Sequence, residues 1–448
     1  MIDPGLNGIK PHFRPEQKRS NPYRILLWLS LIVGGVWLHT KLQAQEIEPL
    51  FMPTPTPTRT SNSYIVEGET QFNAGNLDAA IAAYREAAQV DSENAQVWAE
   101  LARIQTYSSR LLSTDTEKFE RMKEALNSID RAVALGPDDA EVLAIRSLVL
   151  DWYATVAGPF VSPEEVQAAL NEAEKEATRA YNLDPTNALA LAYYSEILID
   201  QQKWSQAEQY IEQAAELEPD SMDVHRVYGY VWESLGQYRL AIEEYQKAAD
   251  ITPNLTFLYI SIGQNFRSLE VHNRALEYFE KAAKINEQKG IEDPFPYIEI
   301  AKTYSRDGEF FIAALNAEKA LSFNPSNANT YGQLASIYMR ARNFESAMPA
   351  FKCAVQGCSA EENQISQEVL DTGVAVEGLP LTSGTVGFYY VQYGSVLAAL
   401  SRPGQNYCRE AMEVLAEVRK QYPDDPIFNS IIEENENICN RAELQARP

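Results

Sequence analysis

Residues 222–255 read MDVHRVYGYVWESLGQYRLAIEEYQKAADITPNL, and residues 256–289 read TFLYISIGQNFRSLEVHNRALEYFEKAAKINEQK. Set one above the other, they match at Gly229 and Gly263, at Ala241 and Ala275, and at Ala248 and Ala282, always 34 residues apart. The step runs upstream to Ala207 and Ala214, and Pro219 and Pro253 share it. The same frame resumes at Ala313 and Ala347, and at Ala320 and Ala354. A fixed period of this size marks a stack of supersecondary units, each burying its apolar face only against its neighbours.

Eight units fit the body, at 61–94, 95–139, 140–187, 188–221, 222–255, 256–293, 294–327 and 328–361. The first small residue of each reads Gly68, Ala102, Ser147, Ser195, Gly229, Gly263, Ala301 and Ala335. The second reads Ala80, Ala125, Ala173, Ala207, Ala241, Ala275, Ala313 and Ala347, and the third Ala87, Ala132, Ala180, Ala214, Ala248, Ala282, Ala320 and Ala354. Every position holds Gly, Ala or Ser because paired helices approach closely there, and a larger side chain would push them apart. Tyr84, Ile129, Ile211, Tyr245, Phe279 and Phe351 fill the gaps between pairs, while Ala177 and Ala317 leave that position small. Pro137, Pro185, Pro219, Pro253 and Pro325 stop the second helix.

This pattern resembles the tetratricopeptide repeat (TPR) family, in which an aromatic, Leu-Gly, Tyr, Ala, Phe, Ala and Pro are spread over two helices. The resemblance implies an all-α fold: a right-handed TPR superhelix, an α-solenoid of eight to nine helix pairs. Repeats two and three are longer than 34, with extra residues around 107–118 and 154–164. Such insertions fall in loops on one face and can join a binding site. Residues 362–384 lose the pattern and read as an irregular loop. Residues 385–448 read as a divergent ninth pair followed by a capping helix, with Ile427, Phe428, Ile431, Ile432 and Ile438 for its apolar face.

The N-terminus has a different composition. Residues 1–24 carry Lys10, Arg14, Lys18, Arg19 and Arg24 against Asp3 and Glu16. An uncharged run follows from Ile25 to Leu38, and residues 25–40 are expected to form a transmembrane signal anchor. The basic residues place the N-terminal tail in the cytoplasm and the body on the extracytoplasmic side of a bacterial cell membrane. Two other readings compete: a signal peptide cleaved near Ala44, which leaves a secreted soluble protein, and a buried core helix. Residues 41–60 form a Pro/Thr-rich linker in which Pro53, Pro55 and Pro57 favour an extended spacer.

The whole chain has 448 residues and a formal net charge of −25. That balance argues against nucleic acid, whose binders need clustered Lys and Arg. There is no phosphate loop, zinc-protease motif or nucleophile elbow. His225 and His272 lie in different repeats without nearby Cys or His, so no metal or cofactor is expected. Cys353 and Cys358 stand five apart, and Cys408 lies in the ninth pair with Cys439 in the helix that packs on it. Export would favour bridges between Cys353 and Cys358 and between Cys408 and Cys439; otherwise all four are buried thiols.

The resemblance also implies that first helices line a concave groove. Its inward positions include Arg226, Tyr230, Phe257, Gln264, Arg267, Phe295, Lys302, Arg306 and Arg340. They are richer in bases than the chain as a whole, which suggests an extended partner peptide with an anionic segment and aromatic anchors. The competing reading is that these cations pair with acids nearby. The carboxylate clamp of chaperone-binding TPR domains does not fit, because its second and third helices would offer Ser261, Phe295 and Glu299. The function expected is therefore a non-catalytic protein–protein scaffold or assembly factor. A site for an enzyme within 362–442 is a remote alternative. The sequence sets neither the partner nor an oligomeric state.

Overall fold

The computed structural model describes residues 21–43, 59–112, 114–402 and 404–445. The chain divides into two compact units, 1–59 and 60–448. In the first, helix α1 (Pro22–Gln43) holds the apolar run. Its stretch Pro22–Lys41 is long and apolar enough to cross a membrane. Trp28, Leu29, Ile32, Val33 and Trp37 are all exposed, so α1 is not a core helix. The basic residues Lys10 to Arg19, the cleavage site at Ala44 and the Pro53–Thr58 spacer lie outside the described residues.

The second unit is built of antiparallel helix pairs. They are α2 (Ser61–Asn73) with α3 (Leu77–Val90), α4 (Ala95–Ser108) with α5 (Asp115–Leu135), and α6 (Ala140–Ala157) with α7 (Pro163–Leu183). Next come α8 (Ala188–Asp200) with α9 (Trp204–Leu217), α10 (Met222–Ser234) with α11 (Tyr238–Ile251), and α12 (Thr256–Ser268) with α13 (His272–Lys289). Then follow α14 (Phe295–Asp307) with α15 (Phe310–Phe323) and α16 (Ala328–Arg340) with α17 (Phe344–Val355).

The Pro-centred turns both end one repeat and start the next. Two residues after Pro137, Pro185, Pro219 and Pro325 stand Asp139, Asn187, Ser221 and Asn327, and each side chain caps the following helix. Such a cap contributes about 1 kcal/mol. The small positions are as tight as their chemistry requires. A Cβ built on Gly68 would lie 2.4 Å from the Tyr84 ring, and one on Gly229 2.8 Å from the Tyr245 ring. The two positions share one volume: Gly faces a ring in these repeats, whereas Ala102 and Ser195 go with Ile129 and Ile211.

Beyond repeat eight the expected loop is partly ordered. It holds a short helix, α18 (Gln364–Leu370), packed against α15 and α17. This corrects the irregular reading of 362–384. The helix carries no repeat signature, so periodicity could not mark it. Helices α19 (Gly384–Leu400) and α20 (Cys408–Gln421) take the ninth place, with α19 on α17, and α21 (Pro426–Gln445) packs on both.

Candidate functional site

Neighbouring first helices interlock through pairs 30 residues apart. Tyr193 donates to Asp223 Oδ1 at 2.7 Å, Arg226 forks onto Glu196 at 3.0 and 2.7 Å, and Tyr230 donates to Asp200 at 2.6 Å. With a 34-residue repeat, this offset is one helical turn, so adjacent first helices are staggered by a turn.

The superhelix also closes on itself. Arg103 of α4 reaches Asp223 of α10 at 2.7 Å, across 120 residues of sequence. The Tyr107 hydroxyl donates to the same carboxylate, and its ring stacks on Phe257 at 5.6 Å. Asn254, on the turn after repeat five, donates to the Asn73 carbonyl at 3.0 Å, and Lys289 donates to the Asn254 carbonyl at 3.2 Å. Burial pushes the Asp223 carboxyl up, but Arg103 and Arg226 outweigh it and hold it below the usual range.

These contacts change the expected basic groove. Arg226 and Phe257 are buried, and Arg226 is matched by Glu196, which also accepts from Trp152 Nε1 at 3.0 Å. Arg267 is buried against Glu299, and Lys302 donates to the same carboxylate at 2.8 Å. Arg340 donates to Ser305 Oγ at 2.9 Å, and Arg306 is exposed. Arg226, Arg267 and Lys302 thus meet the protein's own carboxylates, which weakens the pull on an anionic peptide.

What stays open is a cavity of about 330 Å³. Arg226, Tyr230, Phe257, Gln264 and Phe295 line it, whereas Arg267, Lys302, Arg306 and Arg340 do not. Asp151, Trp152, Asp200 and Asp293 also line it and were not singled out by periodicity. The two insertions were the available signal: Arg110, Leu111 and Lys118 come from one, and Thr155 and Val156 from the other. Trp152 carries Arg110 over its ring at 5.0 Å and Arg226 at 5.5 Å. Burial raises the carboxyls of Asp151 and Asp200, and that of Asp293 to about 6.

Among the described residues, no group of three or more His, Cys, Asp or Glu is placed to hold a metal ion. His225 is instead buried between the Glu244 carboxylate at 2.6 Å and the Pro219 carbonyl at 2.7 Å. Burial alone would lower its pKa, but these two acceptors outweigh burial and raise it. Stability from this imidazolium is complete below the ordinary histidine pKa and is lost as pH rises through the raised value. Asp293 acts in the same direction, its contribution fading as pH climbs toward about 6. Asp223, Glu244 and Glu299 are depressed, and their contribution fades only as pH falls below the carboxylate range. The melting temperature should therefore fall from pH 6 to pH 8.5, with a shallower slope in His225→Gln. A flat profile in thermal scans of the unmodified chain would contradict this.

The sulfurs of Cys353 and Cys358 lie 2.07 Å apart, and those of Cys408 and Cys439 2.18 Å apart.

Stacked, capped helix pairs around an inner wall define a helical-repeat protein. Residues 65–106 and 195–255 match one tetratricopeptide-repeat model, and residues 258–289 match a second. These matches support a tetratricopeptide-repeat protein, and this repeat indicates a protein–protein interaction scaffold. Comparison with curated proteins finds no match. Among the solved structures that are similar are the following three. A thermophilic TPR protein of Thermus thermophilus is 18% identical, with 46% of this chain and 99% of that chain covered and a TM-score of 0.37. A tetratricopeptide repeat protein from Parabacteroides merdae is 17% identical over 62% and 98%, with a TM-score of 0.36. The APC/C hetero-tetramer Cut9–Hcn1 is 14% identical over 84% and 76%, with a TM-score of 0.40. None of these likenesses extends to what this chain binds.

Proposed function

We propose that this chain is a membrane-tethered, non-catalytic scaffold that binds a peptide segment of a protein partner in the cavity of its superhelix. The observation that carries the reading is the convergence of repeats two to seven, with both insertions, on one cavity. A pocket of that size takes one or two side chains rather than a long extended strand. The exposed apolar helix α1 supports the tether. The basic residues before it support a body on the extracytoplasmic side, and the two close cysteine pairs suit an oxidising compartment.

A photoreactive amino acid placed in turn at Thr155, Gln264 and Lys175 tests the binding site in native membranes. Thr155 and Gln264 line the cavity, while the Lys175 side chain is 66% exposed on α7. One discrete protein adduct is expected from the two cavity positions and none from Lys175. Adducts from Lys175 alone would contradict the reading.

A further inference from the structure

We propose that the cavity receives a basic side chain, a lysine or arginine of the bound segment, on the paired carboxyls of Asp151 and Asp200. The inference rests on the peptide-binding reading above and names the chemistry of its occupant.

The carboxylates along the cavity wall are not equally satisfied. Glu196 has Arg226 and Trp152 as donors. Glu233 accepts from Tyr245 and Asn265, both at 2.9 Å. Asp293 accepts from Asn286 at 2.8 Å and from the Phe295 backbone at 2.9 Å. Asp200, exposed at the end of α8, has the Tyr230 hydroxyl. Asp151 is different: it is 3% exposed, it lines the cavity, and its Oδ1 accepts from no N–H or hydroxyl of the chain, its neighbour being the Asp200 carboxyl. Two carboxyls held together in this way either share a proton or meet a cation, and a cation from outside the chain can take the place of that proton.

An ammonium or guanidinium supplies a charge-assisted hydrogen bond there. Trp152, Tyr230 and Phe257 offer apolar surface to the methylene stem behind the charge. The wall holds more carboxylates than cations, and its Arg226 is already forked onto Glu196. An anionic side chain would meet the carboxyls of Asp151 and Asp200, whereas Arg110, also on the wall, lies over the Trp152 ring. Burial together with Asp200 and Glu196 favours the protonated form of Asp151, which hydrogen-bonds the Asp200 carboxyl, and an entering cation replaces that proton.

The test is selection of random heptapeptides displayed against the full chain in detergent, followed by affinities of the selected peptides. A Lys or Arg at one fixed position is expected. Asp151→Asn and Asp200→Asn should each weaken binding at least about tenfold, and Glu172→Gln should not. Replacing the fixed peptide residue by norleucine should cost as much on the unmodified chain and little further on Asp151→Asn, a comparison that does not depend on the variant's stability. Selected peptides without a basic position would overturn this inference and leave the peptide-binding reading standing. So would a fixed basic residue whose affinity both Asn variants retain. Failure to select any peptide would overturn both.

Discussion

Asp223→Ala is expected to destabilise the repeat unit by about 3 kcal/mol, the low end for removing one partner of a buried ion pair. The change leaves Arg103 buried without its 2.7 Å partner and takes the acceptor from the Tyr107 and Tyr193 hydroxyls. Glu100 still lies 2.9 Å from Arg103, which keeps the cost from the upper end. Repeat arrays share stability between neighbours, so the loss should show first where repeats two and five meet. Amide exchange should accelerate in α4 and α10, and the melting temperature should fall. Glu172→Ala, which removes an exposed pair with Lys175 at 2.9 Å, should do almost nothing. Unchanged protection in α4 and α10 would mean that the superhelix does not close on itself.

Gly263→Leu is the second large effect. A Cβ at Gly263 would lie 2.4 Å from Phe279 Cε1, with two further ring atoms at 2.7 and 2.8 Å. Phe279 is fully buried and has nowhere to move. Leucine recovers about 1 kcal/mol of helix propensity over glycine, but overpacking of this kind costs about 1–3 kcal/mol and sometimes more. With a ring in contact at the first added carbon, the net loss should be about 2 kcal/mol. Phe279→Leu frees the same volume, so Gly263→Ala should cost less in that background than alone, which a double-mutant cycle from thermal unfolding measures. Gly263→Leu melting like the unmodified chain would show that the Gly–ring match does not set the helix spacing.

Periodicity was enough to find the helix pairs, because small residues at fixed spacing report how closely helices approach. The inward positions came from the family resemblance instead: Arg226, Tyr230, Phe257, Gln264 and Phe295 line the cavity, and Arg267, Lys302, Arg306 and Arg340 do not. Neither could show that the inward faces meet. Arg103 and Asp223 are 120 residues apart, and their contact depends on the pitch accumulated over three repeats. Without that closure the groove reads as open and basic. One signal was present and unread: Glu196 with Arg226 and Asp200 with Tyr230 both stand 30 apart, a repeat less one turn. Asp151 carried no such mark, since its environment is made by helices from distant repeats.

The location of this scaffold is tested most directly by the intact mass of the membrane-extracted protein, alkylated before and after reduction. Full-length mass, with Cys353, Cys358, Cys408 and Cys439 alkylated only after reduction, is the expected result. A chain that begins after Ala44 would contradict the tether and leave a released soluble binder. Four thiols reactive without reduction would contradict the extracytoplasmic placement of the repeats.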